Sequence, residues 1–443
     1  MRIDRLIVKN FKCFEEREFT FHPEFNLIVG MNGTGKTAIL DALSVAVGSW
    51  LIGFHHGEDA RPVRPADVLL KPFVRKEIDD EGQQYSRVEW ISVYPCKFDM
   101  YGSVLDRDIS WSRSFDSPTL GANLSPKNIL VLASGADLSI QQGKEIILPM
   151  VAYYGTGRLC ENSRESYAVS DPVKVANKEE SSRLAGYRGS VDPRLSVSQL
   201  IHWIAQQSWI TAFMRSHGNS PIFTAVKNAL ISCVEDATDL YFDPSLGEVV
   251  VELSRGKLPL SYLSDGQRSM LAMVGDIAHR AAKLNPHLGG RVLLETPGVV
   301  LIDELDLHLH PRWQRRVIED LRKVFPRIQF ICTTHSPFLI QSLRSGEELI
   351  LLDGQSSAEL GNVSIEEIAR GIQQVENPQF SRRYAEMRDA ATDYLHTLDE
   401  ASRSPREALE HYKARLATTI APFAANPAFQ AFLEMKRVAT LGE

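Results

Sequence analysis

Two stretches of the chain carry residue types suited to phosphate chemistry. GMNGTGKT, from Gly30 to Thr37, matches the spacing G-x-x-x-x-G-K-[ST]. Glycine lets a backbone wrap tightly, so that successive N–H groups point inward at phosphate oxygens. A helix opening directly behind such a loop adds a partial positive charge. In this arrangement Lys36 reaches the β- and γ-phosphates of ATP and the Thr37 hydroxyl is a ligand for Mg²⁺, while Gly30, Asn32, Gly33, Thr34 and Gly35 form the cradle. With average residue usage the four fixed positions would coincide by chance in about one chain in a hundred of this length.

The second stretch is GVVLIDELDLHLHP, Gly298 to Pro311. A strand buried on both faces admits charge only where it emerges at the carboxyl edge of its sheet. Asp303 at that edge is placed to hold Mg²⁺, and Glu304 to orient or deprotonate an attacking water. Asp306, His308 and His310 follow closely; a turn that positions the next helix and touches a neighbouring subunit is preferred here to a transition-metal cluster. TTHSP, Thr333 to Pro337, follows another apolar run, which puts His335 at the same edge, within reach of a γ-phosphate.

These residues need a scaffold. IDRLIV, EEREFTF and FNLIV read as strands, and AILDALSVAV behind the glycine loop has helical spacing. RVEWISVY and ISWSR read as strands, and IILPMVAYY (146–154) as a buried strand weakened by Pro149. Residues 160–194 are polar and expected to be a flexible loop. LSVSQLIHWIAQQSWITAFM and 220–236 read as helices and VVVEL as a strand. From 266 the pattern is helix, strand, helix (PRWQRRVIEDLRKVF), strand, strand, which implies a parallel sheet with crossover helices. Beyond 356 the chain is charged, Ala-rich and helical by pattern.

The totals exclude several classes. The chain has 443 residues, enough for two or three packed units, with 44% hydrophobic and 24% charged residues. No uninterrupted apolar run approaches bilayer length and the start, MRIDRLIVKNF, lacks an apolar leader, so neither a membrane span nor a secretory signal is expected. Five scattered cysteines form no C-x-x-C pair and read as reduced, so a cytoplasmic location is expected. A net charge of −7 argues against nonspecific nucleic-acid binding by the whole surface, not against a local groove. Arg312, Arg315, Arg316, Arg322, Lys323 and Arg327 cluster on and after one helix, and a solvated basic face is the preferred reading.

LSDGQ, Leu263 to Gln267, resembles the signature of ABC-type ATPases. With the phosphate loop, VVLIDE, Asp306 and TTHSP in that chain order, the sequence resembles the ATPase head of the RecF, SMC and OLD-like superfamily over residues 1–355. The resemblance implies an α/β fold: a two-lobed ABC-type P-loop head with a mainly parallel central sheet, antiparallel N-terminal strands, a helical insert (158–258) and a helical C-terminal tail (356–443). It implies that heads dimerise around ATP and Mg²⁺, with Ser264, Asp265, Gly266 and Gln267 meeting the nucleotide of the opposite subunit. Glu304 would be the catalytic base, His335 the phosphate switch, and Asp306 part of the dimer turn. KNFKCF resembles a family turn that places Lys12 near the nucleotide. The long coiled coil of SMC proteins is missing between the loop and the signature. The glutamine loop stays open between Gln141–Gln142 and YYGTGR, whose G-x-G reads as a plain turn. After His335 there is no D-x-D pair, so an intrinsic nuclease site is not expected.

YYGTGRL, LAGYRGSVDPRLS, LSDGQRSMLA and ETPGVVLIDELDLHLHPRWQRR are similar to the stand-alone, Septu-type (PtuA-like) anti-phage ATPases. That resemblance implies a separately encoded HNH-type nuclease as partner, with the C-terminal helices as the expected docking surface. A RecF-like repair ATPase that binds DNA, and a module that holds ATP structurally, are the alternatives.

Overall fold

The computed structural model describes residues 1–54, 60–78, 84–117, 126–158, 182–194, 197–213, 220–353, 363–375, 377–403, 409–423 and 426–441. The chain divides into two compact units, Met1–Ile365 and Glu366–Glu443.

The first unit opens with β1 (Arg2–Phe11), β2 (Phe14–Thr20) and β3 (Phe25–Val29), followed by the glycine loop and helix α1 (Lys36–Gly48). Next come β4 (Leu70–Ile78), β5 (Gln84–Ser92), β6 (Cys96–Val104), β7 (Arg107–Phe115), α2 (Lys127–Gln141) and β8 (Met150–Tyr154). The segment that follows contributes α3 (Val197–Phe213), α4 (Pro221–Ser232), β9 (Ala237–Asp243), β10 (Glu248–Leu253) and β11 (Gly256–Pro259). The unit continues with α5 (Asp265–Leu284), α6 (Val292–Glu295), β12 (Gly298–Ile302), α7 (Pro311–Gln314), α8 (Val317–Val324), β13 (Ile328–Thr333), α9 (Pro337–Gln341) and β14 (Leu349–Leu351).

A five-stranded sheet in the order β14-β3-β13-β12-β8 is the frame of the site, and each of its pairings is parallel. Every residue of β3, β8, β12 and β13 is buried, as short Val/Ile/Leu runs covered on both faces require. Ile302 is in register with Cys332 on one side and Tyr154 on the other. The glycine loop, the acid pair, the histidine turn and YYGTGR therefore leave neighbouring strands at one carboxyl edge, where ligands bind in sheets of this type. Antiparallel β2-β1-β6-β7 forms a second sheet. It is fastened to α1 by Trp111 Nε1 donating to Ala46 O (3.1 Å) and buried Arg113 donating to Val45 O (3.1 Å).

Several expectations need amendment. PRWQRRVIEDLRKVF is not one helix: α7 ends at Gln314 and α8 starts at Val317, with Arg316 at φ −117°. In IILPMVAYY the strand starts only at Met150, because Pro149 has no N–H for the ladder. Besides α3 and α4 the insert carries the antiparallel sheet β11-β10-β9, with VVVEL in its central strand β10. Helix α2 has no counterpart in the sequence reading; Ile129, Ala133 and Ala136 bury one face, but Ser134, Gly135 and Ser139 dilute its helical pattern. Most of the expected 160–194 loop lies outside the described residues. By length and composition Lys36–Gly53 suffices to cross a membrane, which a search for unbroken apolar runs misses, yet 83% of it is buried in the protein.

The second unit contains most of α10 (Ile365–Gly371), then α11 (Arg382–Ser402), α12 (Leu409–Ile420) and α13 (Pro427–Leu441). Tyr394, Leu398, Leu416 and Leu433 form its own small core, with Ala391 and Phe429 packed around it.

Candidate functional site

The glycine loop is held by a few defined contacts. Gly33 and Gly35 sit at φ 85° and 99°, where a Cβ is disfavoured. At Gly35 a Cβ would also meet Cys13 Sγ and Phe14 Cζ, both at 2.6 Å, whereas at Gly33 nothing lies within 4 Å. Lys36 is buried and its ammonium donates to Gly30 O (2.7 Å) and Met31 O (3.0 Å). Burial lowers the Lys36 pKa, with Asp303, Asp353 and Glu304 opposing that shift. Asp353, just beyond β14, accepts from the Met31 N–H at 2.9 Å. Asn32 and Thr37 are exposed, leaving this face of the loop open to solvent.

The two glycines make a matched test. Gly35→Ala should cost about 1–3 kcal/mol, lower the melting temperature and weaken binding of a fluorescent ATP analogue. Gly33→Ala carries the same kind of backbone strain without the collision and should do less. Equal effects on melting and binding would show that the Cys13–Phe14 contact does not set the loop.

The loop meets the acid pair directly. Thr37 Oγ1 donates to Asp303 Oδ2 at 2.9 Å, joining residues 266 positions apart. Thr333 Oγ1 donates to the other Asp303 oxygen (2.6 Å) and accepts from the Glu304 N–H (2.8 Å). Asp303 is 3% exposed, so its carboxylate is held by hydroxyls rather than by bulk water. Glu304 takes φ 49°, the left-handed region. Asp306 Oδ1 accepts from Thr334 Oγ1 and from the His335 N–H (3.4 Å), tying the turn after β12 to the histidine turn after β13. His335 itself is exposed at that edge. His308 and His310 shape backbone: His308 is at φ 63° and His310 Nδ1 accepts from the Arg312 N–H (3.3 Å), capping α7.

Ser264 caps α5. Its hydroxyl accepts from the Gln267 N–H (3.4 Å), while Gln267 Oε1 accepts from the Ser264 N–H (3.1 Å) and hydroxyl (3.0 Å), a reciprocal capping box. Asp265 pairs with Arg268. Gly266 is buried so closely against the His308 carbonyl that a Cβ would lie 2.4 Å from its oxygen. Ser264 and Asp265 are exposed beside Tyr262, itself 78% exposed. The polar contacts of Ser264 and Gln267 are thus to each other, and those of Lys36 and Thr37 are to Gly30, Met31 and Asp303.

Lys12 lies in a turn beside the glycine loop. The Lys12–Phe14 turn packs on Gly35, and the Lys12 ammonium is paired with Asp41 of α1. Asp41 also receives Arg61 and, at 3.3 Å, the Tyr153 hydroxyl. Of the basic cluster, Arg312, Arg315, Arg316, Lys323 and Arg327 are exposed, as a solvated basic face requires, and only Arg322 is buried. Arg322 is buried and paired with Glu348 and with Glu319 (2.7 Å), Arg316 pairs with Asp320 (2.7 Å), Arg312 with Glu235 (3.1 Å), and Arg315 lies 5.1 Å from the Phe338 ring centre. Acids on α8 and nearby elements neutralise most of what the linear count of arginines suggested.

Arg158 was missed. It is 2% exposed, and its guanidinium donates to Gly155 O (3.1 Å), Asp303 O (2.6 Å) and Glu304 O (2.8 Å). One residue type at the end of YYGTGR was the available signal, and reading G-x-G as a plain turn passed over it. Tyr154 in the same stretch donates to Asp276 Oδ2 of α5 at 2.7 Å. Gln141 and Gln142, the other candidates for a glutamine loop, are exposed at the end of α2.

Residues 192–341 match a family described as "AAA domain, putative AbiEii toxin, Type IV TA system", and residues 5–207 match another AAA domain family. The chain is 25% identical to the retron Ec83 probable ATPase of Escherichia coli over 415 residues, covering 80% of this chain and 72% of that protein. It is 34% identical to the Septu protein PtuA of Bacillus mycoides over 363 residues, covering 80% of this chain but only 41% of that protein. Among solved structures, the SMC head domain from Thermotoga maritima aligns at 14% identity and a TM-score of 0.38, over 79% of this chain and 94% of that one.

Proposed function

From the premise that this chain is an AAA-family ATPase homologous to retron ATPases and Septu PtuA, we propose that it binds and hydrolyses ATP between two copies of its head and acts as the sensing or regulatory subunit of an anti-phage complex with a separate nuclease. The observation that carries the ATPase part is the 2.9 Å hydrogen bond between Thr37 and Asp303, which joins the glycine loop to the acid pair.

A hydroxyl and a carboxylate side by side are hard oxygen donors of the kind Mg²⁺ takes while keeping several waters. Thr37 and Asp303 would hold the ion, which supplies neutralisation of phosphate charge. Lys36 exchanges its bonds to Gly30 and Met31 for phosphate oxygens. Glu304 accepts the proton of the attacking water, and His335, fixed through its backbone to Asp306, donates toward the γ-phosphate. Ser264 and Gly266 of the second copy complete the shell. Their site needs a donor that lies at a helix N-terminus and is exposed, and Ser264 is both. The helical second unit is the proposed docking surface for the nuclease. The DNA-repair alternative is less favoured, because most of the arginines that suggested it are paired with acids or packed on an aromatic ring.

Turnover by the purified protein tests the core of this reading. ATP hydrolysis should vanish on chelation with EDTA and return with excess Mg²⁺, and Asp303→Asn should lower the apparent affinity for the ion. Hydrolysis indifferent to EDTA would remove the assignment of Thr37 and Asp303.

A further inference from the structure

The turn that carries Glu304 is held in a conformation its sequence does not favour. A left-handed φ of 49° costs a residue with a side chain about 1–2 kcal/mol. Such a conformation persists where surrounding contacts over-determine it. Here both polar groups of the Glu304 backbone are fastened, its N–H by Thr333 Oγ1 (2.8 Å) and its C=O by the Arg158 guanidinium (2.8 Å). The preceding residue is fixed in the same way: the Asp303 N–H donates to Tyr154 O (2.8 Å) and its C=O accepts from Arg158 (2.6 Å).

The cost of placing Arg158 there argues for a purpose. A guanidinium that is 2% exposed has lost its water, and among the described residues its hydrogen bonds go to three carbonyl oxygens. Its Nε has no hydrogen-bond partner among the described residues. Burial lowers its pKa, and the charges of Asp303, Glu304 and Asp306 oppose that. A neutral residue could fill the volume; only a planar fork grips two successive carbonyls at once.

We propose that Arg158 is a positioning residue for Glu304: its guanidinium clamps the Asp303 and Glu304 carbonyls and thereby holds the Glu304 carboxylate at the angle that proton abstraction requires. The proposal rests on the reading of Glu304 as the base. Because the clamp acts on the backbone of the acid turn and its hydrogen bonds do not reach the glycine loop, its loss falls on the chemical step more than on nucleotide affinity.

Arg158→Lys tests this. An ammonium keeps the charge but cannot hold both carbonyls in one plane. The expected result is a fall in kcat of about ten- to a hundredfold, with the Kd of a fluorescent ATP analogue and the melting temperature close to those of the parent. Arg158→Gln, which keeps a planar donor without the charge, should behave alike. In a Glu304→Gln background Arg158→Lys should add no further loss, because the group it positions is already disabled. Full kcat in Arg158→Lys, or an additive loss in the double variant, overturns the proposal. If both single variants lose nucleotide binding and melt early, Arg158 is a folding residue and the proposal is equally overturned. The two readings separate cleanly: normal turnover by Glu304→Gln removes the base, whereas an inactive Glu304→Gln beside an unimpaired Arg158→Lys removes only the clamp.

Discussion

Glu304→Gln is expected to reduce kcat by about 10²–10⁴-fold, equivalent to about 3–5 kcal/mol of transition-state stabilisation, while nucleotide binding is retained. Three features set that expectation. The change is isosteric, so the volume at the turn is preserved. The backbone of residue 304 is fixed by Thr333 and Arg158 through groups the substitution leaves intact. The hydrogen-bonded pair proposed to hold the ion, Thr37 and Asp303, is also untouched. What is lost is the acceptor for a proton of the attacking water. If ATP closes two heads and hydrolysis opens them, the variant should accumulate as an ATP-bound pair. Single-turnover hydrolysis and light scattering with and without ATP measure both effects. A variant that hydrolyses at the parental rate would sink the assignment of Glu304.

Ser264→Arg is expected to abolish ATP-dependent pairing and to bring hydrolysis down with it, while a single head still binds nucleotide. Loss of the cap alone is a small matter, about 1 kcal/mol, spread over the 20-residue helix α5 whose other side is buried. Ser264→Ala loses the same cap without adding bulk or charge and should pair better than Ser264→Arg. A large difference between the two therefore reports on what approaches Ser264 from outside, because among the described residues the Ser264 hydroxyl bonds to Gln267 in the capping box. Size-exclusion with light scattering, with and without ATP under non-hydrolysing conditions, reads it. If Ser264→Arg pairs and turns over normally, the segment is a capped turn and nothing more.

How much of this was legible in the sequence varied with the kind of signal. The placing of the glycine loop and the acid pair at one sheet edge was readable because each is local: the glycines, the lysine and the apolar run before Asp303 lie within a few residues of one another. The parallel order was readable from alternation, and β3, β12 and β13 fall where their Val/Ile/Leu runs ended. Arg158 was not readable, because its partners are the carbonyls of residues 303 and 304 and a carbonyl has no letter in a sequence. The pairing of Lys12 with Asp41 depends on where α1 rotates that acid, and the pairing of Arg322 with Glu348 depends on a loop between β13 and β14 returning past α8. Helix α2 was missed for a different reason, since small residues at Ala133 and Ala136 bury a face without marking it as apolar.

The strand end at Tyr153 and Tyr154 has a mechanical consequence. Adjacent side chains on a strand leave its two faces in opposite directions. One phenol grips Asp41 on the helix that starts at the phosphate loop, and the other grips Asp276 on the helix that starts at Ser264. Burial keeps the Tyr154 hydroxyl protonated far above neutrality, so this grip does not come and go with pH. Strand β8 therefore ties the two helices to one buried element of the sheet. If α5 shifts when a second head arrives, the pull reaches this strand end, to which α1 and the acid turn are also bonded. Assembly and chemistry would then be geared together in the core of one chain, with no messenger crossing the solvent.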